Sequence, residues 1–140
     1  MLFNRILKER KVPKQWTVSE IILIYKKGDP NYRPISLMAS LYKLLSQCLL
    51  KRIGSKIDAK QPIEQAGFRS KYSTIDHIYV LSKVIEKYKE FNSPLYIAFV
   101  DYRKAFDSIS HASIKEALQY HEVETTYIDI ISNIYENCKS

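Results

Sequence analysis

The stretch "LYIAFVDYRKAFDSISH" spans residues 95–111, and six uncharged residues run straight into Asp101. No polar residue alternates with the apolar ones, so the pattern predicts a strand over residues 95–100 covered on both faces. Asp101 then stands where the core gives way to solvent, and Asp107 follows past Arg103, Lys104 and Phe106. A carboxylate withdrawn from water without a partner is costly. A divalent cation is one partner, because hard cations take carboxylate and carbonyl oxygens, and metal-bound strand-end carboxylates serve nucleotidyl transfer. A turn or helix cap is the other, since Asp commonly fills both positions. Spacing alone leaves the two open.

Upstream, residues 1–11 form a basic helical pattern with Leu2, Ile6 and Leu7 on its apolar side, and Pro13 interrupts it. "VSEIILIY", residues 18–25, is rich in β-branched residues and predicts a strand. "KKGDPN" is a turn punctuated by Gly28 and Pro30, and "YRPIS" returns as an edge strand because of Pro34. Together they predict a β-hairpin with a lysine-rich tip. Helical spacing recurs over residues 37–57 through Leu37, Leu41, Leu44, Leu45, Cys48 and Leu49. Residues 61–74 have no period and are expected as a loop. Thr74 is placed as the cap of a helix that carries Ile78, Leu81, Val84, Ile85 and Tyr88 on one face. "FNSP" ends that helix ahead of the 95–100 strand. A helical region begins near Ser108, and "TTYIDIISNIYENC" starts one more. Strands among helices, with a hairpin near the front, give an α+β fold with mixed α/β character.

The 140 residues suit one domain, and 46% hydrophobic with 26% charged residues is a globular composition. No apolar run approaches a membrane span, and the cationic start does not fit a signal peptide. These features predict an intracellular, unsecreted protein of nucleus or cytoplasm that does not engage a membrane. Cys48 and Cys138 are too few and too far apart for a disulfide framework or zinc site. Residues 1–60 hold 13 Lys plus Arg against 4 acids, a balance of +9, whereas residues 61–140 hold 9 against 11. A basic front half fits a polyanion such as nucleic acid, and equally a solvated face.

Three segments occur in order: "ILIYKKGDPNYRPISL", "QAGFRSKYSTIDHI" and "YIAFVDYRKAFDSISH". Together they resemble the polymerase domain of reverse transcriptases, specifically those of LINE-like, non-LTR retrotransposons. The resemblance runs from about Pro13 onward. It implies a partial right-hand polymerase, a single partial domain over residues 1–140. Residues 1–90 would be fingers-like, with the hairpin over the incoming nucleotide, and residues 91–140 the start of an incomplete palm sheet with packed helices. It also implies that Asp101 is the catalytic, metal-binding aspartate and that the backbone carbonyl of Tyr102 adds a ligand, with Mg²⁺ or Mn²⁺ as cofactor. Phe106 would be the aromatic beneath the incoming sugar, and Asp107 a support of the motif. Lys104 and Ala105 would lie beside the nucleotide, while Arg33 and Lys26 would hold its triphosphate. Gln65, Gly67, Phe68 and Arg69 would lie near the template. Where relatives often show a glycine and a basic residue, this chain has Lys71 and Tyr72, which weakens any template contact at Tyr72.

The family places two further aspartates downstream in a motif like "Y/F-A-D-D", and no "DD" occurs in this sequence. The remainder of the palm and the thumb are likewise missing from the resemblance. It therefore implies a fragment of an RNA-directed DNA polymerase, catalytically incomplete as given. Its partners in the parent protein would be RNA template, DNA primer and dNTP. A non-catalytic basic module that binds RNA or DNA is the alternative.

Overall fold

The computed structural model describes residues 2–25 and 32–138. Element order is α1 (Leu2–Glu9), a 3-10 turn (Lys14–Trp16), β1 (Glu20–Tyr25), β2 (Tyr32–Leu37), α2 (Ser40–Ala59), α3 (Thr74–Glu90), α4 (Ala105–Ser108), α5 (His111–Tyr120) and α6 (Thr125–Asn137). This is a mixed architecture of helices and one small sheet. None of the described helices is long and apolar enough to cross a membrane. The chain divides into two compact units, one from Met1–Ala59 with Ile109–Ser140 and the other Lys60–Ser108.

The larger unit is built on α6. Ile130 and Ile134 of that helix meet Ile6 of α1, Leu45 and Leu49 of α2, and Val12 and Trp16 of the connecting segment. Ile130 is wholly buried. A second cluster joins Ile53 of α2, Leu118 of α5, Val123 and Ile128. Apolar side chains of α1, α2, α5 and α6 thus fill two clusters, both of which draw on α2 and α6. Polar ties fix the arrangement: Val12 N–H donates to Asn133 Oδ1 at 3.0 Å. Arg10 pairs with Asp129 at 2.6 Å, and Lys56 with Glu124 at 2.8 Å. Lys56 holds the Glu124 carboxyl below its ordinary value. Cys48 is half-buried and Cys138 exposed, and neither is in a disulfide.

The hairpin forms as the sequence predicts. β1 and β2 pair antiparallel from Glu20 opposite Leu37 to Tyr25 opposite Tyr32, with Pro34 opposite Leu23. Tyr25 and Tyr32 meet edge-to-face with centroids 5.7 Å apart, a cross-strand aromatic pair next to the connection. The "KKGDPN" tip, Lys26 included, lies outside the described residues. Helix α2 begins three residues later than the 37–57 pattern predicts.

The smaller unit differs most from expectation. Helix α3 buries none of its residues. Local interactions sustain it: Ser73, not Thr74, is the N-cap, its Oγ accepting from Ile75 N–H at 3.1 Å. Asp76 in the first turn and Lys87 and Lys89 in the last complement the helix dipole. Residues 95–100 form no strand. Leu95 is half-buried, but Tyr96, Phe99 and Val100 are 91, 81 and 78% exposed. A strand exists only through a partner that completes its hydrogen-bond ladder. Among the described residues β1 and β2 pair with each other, and no segment pairs with 95–100. The palm sheet is thus absent from the described residues, which accounts for the departure from a strand covered on both faces.

Candidate functional site

Residues of "QAGFR" and "FVDYRKAFD" belong to the same compact unit, Lys60–Ser108. Asp101 is exposed, in irregular backbone after the 95–100 segment. Water therefore solvates its carboxylate, and the desolvation cost that motivated a buried partner does not arise. Among the described residues it caps no helix or turn either. The amides of Asp107 and Ser108 donate instead to the Lys104 carbonyl at 3.0 and 3.1 Å, which starts α4. Tyr102 is 77% exposed. Among the described residues no three His, Cys, Asp or Glu side chains cluster as a metal site would require. A single open carboxylate fits the limited share that proteins contribute to Mg²⁺ alongside substrate phosphates, and does not fit a complete protein-built centre.

Phe106 sits on the first turn of α4 and is 79% exposed. It is not a core aromatic. Its ring meets that of Phe68 edge-to-face, centroids 5.9 Å apart and planes at 88°. Sequence reading placed these two residues in separate motifs with separate roles, and no periodicity connects them. Lys104, between Asp101 and Phe106, has φ 51°, a left-handed backbone that lets the chain turn into α4.

The loop before α3 is tied by its own side chains. Gln65 Nε2 donates to the Gly67 carbonyl at 3.0 Å, and Arg69 Nη1 donates to the Pro62 carbonyl at 2.9 Å. The Arg69 guanidinium also lies 3.9 Å from the Tyr72 ring centroid. Tyr72 thus serves as a platform for Arg69, a contact that the Arg-x-x-Tyr spacing alone signals only weakly. Arg33 lies on β2 in the other compact unit, exposed and opposite Ile24. A groove of about 420 Å³ between α1 and α2, lined by Leu2, Phe3, Leu7, Leu41, Leu45 and Leu49 among others, contains none of these motif residues.

Comparison with known proteins gives a consistent result. Residues 24–140 match the family described as "Reverse transcriptase (RNA-dependent DNA polymerase)". The chain is similar to the "Probable RNA-directed DNA polymerase from transposon BS" of Drosophila melanogaster, 33% identical over 118 residues, which is 79% of this chain and 13% of that protein. It is also similar to the "Retrovirus-related Pol polyprotein from type-1 retrotransposable element R2" of Popillia japonica, 34% identical over 112 residues, 77% of this chain and 16% of that protein. The "RNA-directed DNA polymerase from mobile element jockey" of Drosophila melanogaster is 30% identical over 121 residues, 81% of this chain and 13% of that protein. The chain thus spans about an eighth to a sixth of the length of these relatives. No solved structure matches it.

Proposed function

Because the chain belongs to the reverse transcriptase family, with relatives in non-LTR retrotransposons, we propose that it supplies the nucleotide-facing fingers and the first palm motif of an RNA-directed DNA polymerase. The observation that carries this reading is the family match across residues 24–140, which contains the second and third motifs and all of the first but Ile22 and Leu23. That match runs through the acidic back half as well as the basic front. It therefore does not favour a basic binding module.

In the parent protein the reaction would join an incoming dNTP to a primer 3′-hydroxyl, directed by an RNA template. Residues 1–90 would act as fingers and residues 91–140 as the start of a right-handed palm. Asp101 and the Tyr102 carbonyl would hold one side of a divalent cation, Mg²⁺ or Mn²⁺, completed by groups outside the described residues. When bound, such a cation stabilises charge on transferring phosphoryl oxygens. This chain's own groups would bind and orient. Arg33, with its planar guanidinium, suits bidentate contact to a triphosphate, and Lys26 suits a mobile point charge. Lys104 and Ala105 would border the nucleotide, and Phe106 would lie under its sugar, where ring bulk excludes a 2′-hydroxyl. Gln65, Gly67, Phe68 and Arg69 would form the template-side loop. The open positions of Asp101 and Phe106 support these roles, because a group that meets a substrate must be reachable.

The test is Asp101→Asn in a full-length polymerase carrying this segment. Size is kept and charge removed, so primer extension should fall on the order of a thousandfold or more while template binding stays near parental. Extension at near parental rate would end the assignment.

A further inference from the structure

Phe68 and Phe106 touch although neither is buried. Phe68 is 100% exposed and Phe106 79%, so no surrounding core brings the rings together. Each is aimed by its own backbone. Phe68 has φ 59°, a conformation that a non-glycine residue keeps only where its surroundings hold it. The ties on either side do so: Gln65 to the Gly67 carbonyl, and Arg69 to the Pro62 carbonyl and the Tyr72 ring. On the other side, Lys104 at φ 51° and its carbonyl launch the short helix that carries Phe106. Two left-handed residues thus present two rings in the edge-to-face geometry that ring quadrupoles favour.

We infer that Phe68 is a positioning residue for Phe106, and that it sharpens sugar discrimination without touching the nucleotide. The inference rests on Phe106 being the ring beneath the sugar. An exposed phenylalanine on a four-residue helix has several rotamers open to it, and a sugar gate excludes a hydroxyl only in the rotamer that blocks it. An aromatic contact of this kind biases such an equilibrium roughly two- to tenfold. Discrimination by Phe106 is therefore set in part from the loop at residues 65–72.

The experiment measures kcat/KM for a dNTP and its matching rNTP in a full-length polymerase carrying this segment. The parent is compared with Phe106→Val, Phe68→Leu, Phe68→Tyr and the Phe68→Leu/Phe106→Val double variant. Phe68→Leu should lower the dNTP-to-rNTP ratio by roughly two- to tenfold. Phe68→Tyr keeps the ring and should keep the parental ratio. The double variant should discriminate no worse than Phe106→Val alone, because the support is redundant once the gate is gone. A shifted ratio for Phe106→Val with an unchanged one for Phe68→Leu overturns the inference and leaves the sugar-gate reading standing. An unchanged ratio for Phe106→Val overturns both. Should Phe68→Leu fail to fold, ring-to-ring nuclear Overhauser contacts between labelled Phe68 and Phe106 in the full-length polymerase decide. Their presence supports the pair, and their absence overturns it.

Discussion

At the scale of single residues, exposure separates a structural aromatic from one placed to meet a ligand. Phe106 is 79% exposed, whereas Trp16 is 3% exposed within the main cluster. Truncating a buried phenylalanine costs about 3–5 kcal/mol, while an exposed one with a single ring contact stands to lose only the worth of that contact. Phe106→Val should therefore destabilise this chain by less than about 1.5 kcal/mol in chemical denaturation. A loss of core size would return Phe106 to the interior. Asp101 follows the same logic. Its carboxylate is solvated and makes no hydrogen bond or ion pair with the described residues, so it is available to a ligand at no structural cost.

At the scale of elements, α2 and α3 show opposite ways to hold a helix. Helix α2 is held by tertiary contact through Leu45, Leu49 and Ile53. Burial beside that interface pushes the Tyr42 phenol above its ordinary value of 10.0, because charge is disfavoured away from water. The folded-state value lies above that of the unfolded chain. The stability linked to it is therefore complete below about pH 10 and is lost as pH rises past the folded value. Tyr42→Phe should flatten the alkaline limb of a stability-versus-pH curve, and an unchanged limb would show that Tyr42 ionises as freely in the folded state as in the unfolded chain. Helix α3 relies on its Ser73 cap and on i,i+3 pairs, Lys83 with Glu86 and Lys87 with Glu90. Such exposed pairs contribute little, because water and salt screen them.

For the molecule as a whole, buried apolar side chains are concentrated in one compact unit. Ile6, Trp16, Leu45, Leu49, Ile130 and Ile134 all belong to the larger unit, while in Lys60–Ser108 only Ala66 is buried among the described hydrophobic residues. Opening free energies follow buried contact. Native-state hydrogen exchange should show amides of α3 opening far more readily than those of α2 and α6. Equal protection across the three helices would show that Lys60–Ser108 is stabilised by contacts beyond its own cap and surface pairs. Phe68, Asp101 and Phe106 all belong to this thinly packed unit. Its ordering would then depend on whatever it binds or adjoins in the full polymerase.

Local chemistry in the sequence accounts for much of the architecture. Apolar residues recurring at helical spacing mark α2 and α6, β-branched residues flanking a Gly- and Pro-bearing turn mark the hairpin, and three ordered motifs mark the family. Each depends on neighbours a few residues away, so each can be recognised without knowing the fold. Residues 95–100 could not be settled in that way. An apolar run becomes a buried strand only when distant strands complete its ladder, and none of the described residues do. The same holds for the pairs Arg10–Asp129 and Lys56–Glu124, which offset part of the basic front half with acids from the back. It holds too for Phe68 and Phe106. Their motifs are legible as separate lines of sequence, but a ring contact needs two backbones turned toward each other, and only the folded chain sets those turns.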